Sequence, residues 1–190
     1  MKYVLLVAML ILCGTAYADE TETPFHMPTP DGWLTETIHF PLGFAPQVDY
    51  DGFEELRFAP GWRNVEAEDF WTYAFVWWVP DSTIINAEVL QSDLDAYYRG
   101  LASDSDNPDI ASQVNAIESD AGSRPTFQGI IKTIDTFTTN KPVSLNFHAE
   151  VISCEAQGRL AVFFQISPQP ADHPIWLKLH GLLDEFRCEL

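Results

Sequence analysis

The chain has 190 residues, 46% of them hydrophobic and 13% aromatic, with 10 basic side chains against 28 acidic ones and a formal net charge of −18. That length suits one domain, and folding should bury about 70% of the unfolded surface, so a core can form without a structural metal. Such a charge repels nucleic acid and anionic membrane surfaces, and no nucleic-acid partner is expected.

Residues 1–18 read as an export signal: Lys2 supplies the basic start, residues 4–12 an apolar run, and Thr15-Ala16-Tyr17-Ala18 a small-x-small cleavage pattern. Cleavage is predicted after Ala18, giving a periplasmic or extracellular chain. A bilayer span needs about 20 apolar residues, and here Asp19, Glu20 and Glu22 follow directly, so no stable membrane anchor is predicted. Cys13 invites a lipoprotein reading, but the bulky Leu12 stands where that processing needs a small residue. Loss of Lys2 leaves nine basic residues against 28 acidic ones, a net of −19. The acids are scattered, which fits a salty habitat better than a dedicated ion site.

Residues 19–31, rich in proline, threonine and acid, read as a flexible leader, and residues 32–190 as a single domain. Residues 33–40 alternate and predict a first strand, 41–51 a loop, and 53–58 a second strand ending at Ala59-Pro60-Gly61. Residues 70–79, FWTYAFVWWV, are apolar in both parities of a period of two. A strand greasy on both faces belongs in the middle of a covered sheet. Asn86 is a predicted N-cap for a helix whose stripe is Leu90, Leu94, Tyr97 and Leu101. After a polar connector at 103–108, residues 109–118 predict a short amphipathic helix with Ile110, Val114 and Ile117 inside.

Three strands are then predicted at 127–137, 143–153 and 160–167, joined by short turns that make antiparallel hairpins. In the middle one Val143, Leu145, Phe147, Ala149 and Val151 point in, and Ser144, Asn146, His148 and Glu150 point out. Pro174 opens a terminal helix with Ile175, Leu179, Leu182 and Phe186 buried. The expected fold is α+β: a single six-stranded, mainly antiparallel sheet flanked by two or three helices. In an oxidising compartment Cys154 and Cys188 form a disulfide closing 34 residues, which the loop-entropy argument values at about 3.5 to 4 kcal/mol; the alternative is two separate buried thiols.

The element order, with Pro30-Asp31-Gly32-Trp33 before the first strand, Gly158-Arg159-Leu160 in the last hairpin and Leu183-Asp184-Glu185-Phe186-Arg187 at the end, resembles the Mog1/PsbP-like fold. The resemblance covers most of residues 33–187 and implies an α/β/α sandwich in a family of accessory and binding proteins. The region 103–125 departs from it.

His148 and Glu150 share the polar face of one strand, roughly 7 Å apart, and could act as a general base and its orienting carboxylate in a small hydrolase or isomerase. Solvated decoration of a strand is the plainer account. No Gly-x-Ser-x-Gly, His-Glu-x-x-His or Cys-x-x-Cys occurs, so neither a catalytic nor a metal motif is predicted, and no cofactor. Asp104, Asp106, Asn107 and Asp109 resemble a calcium loop until Pro108 breaks its register. Trp62, Trp71 and Trp77 could line a groove, or simply fill the core. The function expected is a secreted, non-enzymatic binding or accessory domain using an aromatic surface. Its partner would be a protein, a glycan or a small ligand, and a weak divalent-cation binder is the other reading.

Overall fold

A computed structural model describes residues 23–103, 107–117 and 123–189. The export signal, Cys13, Asp104 and Asp106 lie outside these residues. Seven strands form one sheet: β1 (Leu34–His39), β2 (Phe53–Phe58), β3 (Tyr73–Pro80), β4 (Ala111–Ile117), β5 (Thr126–Asp135), β6 (Lys141–Cys154) and β7 (Arg159–Ser167). Their order is β1-β2-β3-β7-β6-β5-β4, and every neighbouring pair is antiparallel. Helix α1 (Ala87–Leu101) lies on one face and helix α2 (Ile175–Asp184) on the other, so the architecture is α+β in three layers. Among the described residues, no helix is long and apolar enough to cross a membrane.

The doubly apolar strand explains the layering. Tyr73, Phe75, Trp77 and Val79 enter the core under α1, while Ala74, Val76 and Trp78 enter the smaller core under α2. The strand begins only at Tyr73, because Trp71 takes a left-handed backbone with φ of 50°. Asn86 caps α1 by accepting the N–H of Val89 at 2.9 Å, and Leu90, Leu94, Tyr97 and Tyr98 face the sheet. In α2 the N–H of Ile175 is taken by His173 Nδ1 at 3.2 Å, and Ile175, Trp176, Leu179, Leu182 and Leu183 are buried.

Two expectations are corrected. The sheet has seven strands, not six, because residues 111–117 of the expected 109–118 helix form β4. Ile110, Val114 and Ile117 fit a helical spacing, but Ser112 and Val114 also alternate, and the edge of β5 offers a complete ladder to pair with. α1 fixes that choice: Asp95 accepts the N–H of Ser112 at 2.6 Å, and Gln91 Oε1 accepts that of Val114 at 3.3 Å.

The flexible leader is the second. From residue 23 onward it is docked on the domain: Phe25 is fully buried among Phe53, Trp78 and Phe186, and His26 exchanges two backbone hydrogen bonds with Arg187. Arg57 adds bonds to the carbonyls of Met27 and Pro28. The Cys154–Cys188 disulfide is formed, with Cα atoms 5.4 Å apart, and ties the end of β6 to the segment after α2.

Candidate functional site

α2 covers only part of its face of the sheet, lying over β3 and β7. The same face of β4, of β5 and of β6 up to Glu150 is left open, while Ile152 and Cys154 at the end of β6 are buried under α2. Its side chains follow from the strand register: Asn115, Gln128 and His148 stand side by side across three strands, and the row continues to Gln165 of β7 beneath α2. The neighbouring row is Gln113, Ile130, Asn146 and Ser167.

Beside this platform, Trp176 and His180 of α2 and Pro170 and Ala171 of the preceding link raise a wall, enclosing a groove of about 580 Å³. Gln169 anchors the link, since its carbonyl accepts both the Asn146 side-chain amide at 3.0 Å and the Trp176 indole N–H at 3.2 Å. On β5 a glycine is required at 129, because a Cβ there would come within 1.8 Å of the Gln113 carbonyl oxygen on β4.

The groove is uncharged. None of its eleven lining residues is Asp, Glu, Lys or Arg, in a chain that carries 38 such side chains. The nearest acid on the platform, Glu150, sits 3.4 Å from Arg124. His148 meets His180 edge to face, ring centroids 5.9 Å apart. Burial lowers the His148 pKa, His180 lowers it further, and Glu150 acts against both. His148 is therefore a neutral imidazole at neutral pH. Its Nδ1 and the Oε1 of Gln165, neighbours in register, are both buried without a hydrogen-bond partner.

His148 and Glu150 do share one face, as the alternation of β6 requires, but no hydrogen bond joins them among the described residues. Asn107, from the calcium-like stretch, instead accepts the N–H of Asp109 at 2.9 Å. Among the described residues, no group of three or more His, Cys, Asp or Glu side chains could hold a metal.

Trp62, Trp71 and Trp77 lie on the opposite face, under α1. Trp62 and Trp71 line a pocket of about 90 Å³ with Phe58, Tyr73, Tyr97 and Phe137. The loops that carry Trp62 and Phe137 are tied together: Arg63 Nη2 donates to the Phe137 carbonyl at 3.2 Å, and Thr138 Oγ1 to that of Arg63 at 3.2 Å. The Arg63 guanidinium already stacks 5.4 Å from the Trp62 centroid and 5.7 Å from that of Phe137. Trp77, expected beside them, is fully buried and lines neither this pocket nor the groove.

Glu54 is the residue sequence reasoning missed. Phe53-Glu54-Glu55 in a central strand puts one acid on each face, and both are buried. Glu55 is paired with Arg57. Glu54 faces the aromatic core, and burial pushes its carboxyl up to about 8, offset in part by the polar hydrogens of Tyr97 and Trp77. Neither Glu54 oxygen nor the Trp77 indole nitrogen has a partner at hydrogen-bond geometry. Two acids in the middle of FEELRF were the available signal.

No protein-family profile matches the sequence, and no curated protein does. Among solved structures, a crystal structure of LpqN, involved in cell envelope biogenesis of Mycobacterium tuberculosis, is 12% identical over 86% of this chain and 83% of that one, with a TM-score of 0.33. At that degree of overlap the likeness carries no functional argument.

Proposed function

We propose that the chain is an exported bacterial binding domain, periplasmic or extracellular, that holds a ligand in the groove between the open sheet platform and α2 without altering it chemically. The observation that carries this reading is the composition of the groove. Carboxamides and imidazoles converge there with an indole, while the lining contains no hydroxyl, thiol or carboxylate among the described residues. Groups of that kind orient a ligand; apart from the two imidazoles they offer no nucleophile and no carboxylate to act as acid or base. The disulfide supports an oxidising compartment. A Mog1/PsbP-like fold, which the sequence resembles over most of residues 33–187, would imply an accessory role.

Binding at the groove replaces the aromatic surface expected from sequence. The pocket lined by Trp62 and Trp71 is small, and the chain's own Arg63 already stacks on Trp62 at its rim. A fragment screen followed by two-dimensional NMR tests the choice. Hits should perturb the signals of Gln128, His148 and His180; hits that gather instead around Trp62 and Phe137 would sink the groove as the site.

A further inference from the structure

We propose that the ligand of this groove is an uncharged, hydroxyl-rich molecule, a segment of neutral glycan lying across the Asn115, Gln128 and His148 row. The inference rests on the groove being the binding site, and adds the chemistry of what binds.

Three observations converge on it. The first is charge: a chain at −18 keeps every formal charge out of this lining. A cationic ligand would be met by carboxylates and an anionic one by Arg or Lys, since charge-assisted hydrogen bonds are about twice as strong as neutral ones. The second is donor and acceptor balance. Each carboxamide both donates and accepts, as does a neutral imidazole, and a hydroxyl is the ligand group that also does both. Asn115, Gln128 and His148 present that double capacity at three successive strands, about 4.8 Å apart, which suits hydroxyls repeated around a ring.

The third is the inner end of the row. His148 Nδ1 and Gln165 Oε1 lie buried and unpartnered side by side, while Gln165 donates its amide to the Leu179 carbonyl at 3.3 Å. A neutral imidazole carries a proton on one ring nitrogen and leaves the other as an acceptor, so His148 can either donate to a ligand hydroxyl or accept from it. Trp176 and the 43%-exposed Ile130 flank the row and offer apolar surface to the C–H edges of a sugar.

The test uses the disulfide-bonded chain, labelled with nitrogen-15. It is titrated with trimers of glucose, mannose and N-acetylglucosamine, and with acidic oligogalacturonate and a neutral glycine-serine hexapeptide as controls. At least one neutral trimer should shift the side-chain amide signals of Asn115, Gln128 and Asn146 saturably. Its affinity should hold between about 0.05 and 0.5 M sodium chloride, because no charge is involved. Asn115→Ala and Gln128→Ala should each weaken it about fivefold, the worth of one hydrogen bond, with folding intact.

Oligogalacturonate or the hexapeptide moving those signals in place of the neutral trimers would overturn the glycan and keep the groove. Silence of those signals toward every probe would overturn the glycan too. Saccharide binding undiminished in Asn115→Ala, Gln128→Ala and His148→Ala would overturn the glycan at this site and the groove reading with it.

Discussion

The two faces of this sheet solve opposite problems. Under α1 the inner strands of the sheet are covered, and its core is aromatic to the point of trapping an acid, Glu54, among Trp77 and Tyr97. Under α2 the cover stops at β7 and the end of β6, and the strands beyond it carry Asn115, Gln128, Asn146 and His148 where the other face carries Val114, Phe127, Leu145 and Phe147. The same strands are thus apolar toward one layer and neutral polar toward the other. A face built for stability tolerates an unpaired group only if it is deeply held; a face built for recognition keeps its polar groups where a ligand can reach them.

The sharpest way to break the comparison is to cut into the covered face. Trp77→Ala removes a fully buried indole from between Phe75, Phe164 and Tyr97, and should lower unfolding free energy by about 3 to 5 kcal/mol in a urea titration. Next comes the staple. Replacing Cys154 and Cys188 together by alanine frees the chain after α2 and should lose about 2 to 4 kcal/mol in the same assay. If the double variant unfolds at the wild-type midpoint, the α2 layer is held by Phe25, Phe186 and their neighbours alone.

These two features were also the most legible in the sequence. The parity of residues 73–79 assigns each aromatic to its layer, and β6 alternates so cleanly that Asn146, His148 and Glu150 could be placed outward without coordinates. The groove was not legible, because it depends on where α2 stops and on β4 joining the sheet beside β5. Ile110, Val114 and Ile117 supported a helix, and with β4 lost Asn115 had no neighbours to be read against. Asn115 and Gln128 are among the commonest kinds of surface residue; only the cross-strand register makes them a row. Of Trp62, Trp71 and Trp77, only the first two line one pocket, and aromatic content alone does not distinguish core filling from a surface that takes a partner.

Glu54 sharpens the comparison through pH. Its folded pKa of about 8 lies above the ordinary carboxylate value of 4.5, so folding favours the protonated form. The sign follows: stability from this group is complete below pH 4.5 and is lost as pH rises through 8. Between those limits the wild type should lose on the order of 4 kcal/mol that Glu54→Gln, neutral throughout, retains. Urea midpoints for both proteins at the two ends of that window measure the difference. Equal slopes would mean that Glu54 finds a partner when ionised.

The smallest expected effect is the most informative about the open face. Asn115→Ala and Gln128→Ala remove exposed amides that neither fill the core nor carry a hydrogen bond to the rest of the described chain. Each should therefore change unfolding free energy by no more than about 0.5 kcal/mol. A loss several times larger would show that the row braces β4 against β5, and the platform would then belong with the covered face as part of the scaffold. Near-neutrality in unfolding, set beside a measurable loss in ligand affinity, separates recognition from stability, because the same two side chains then matter only when something occupies the groove.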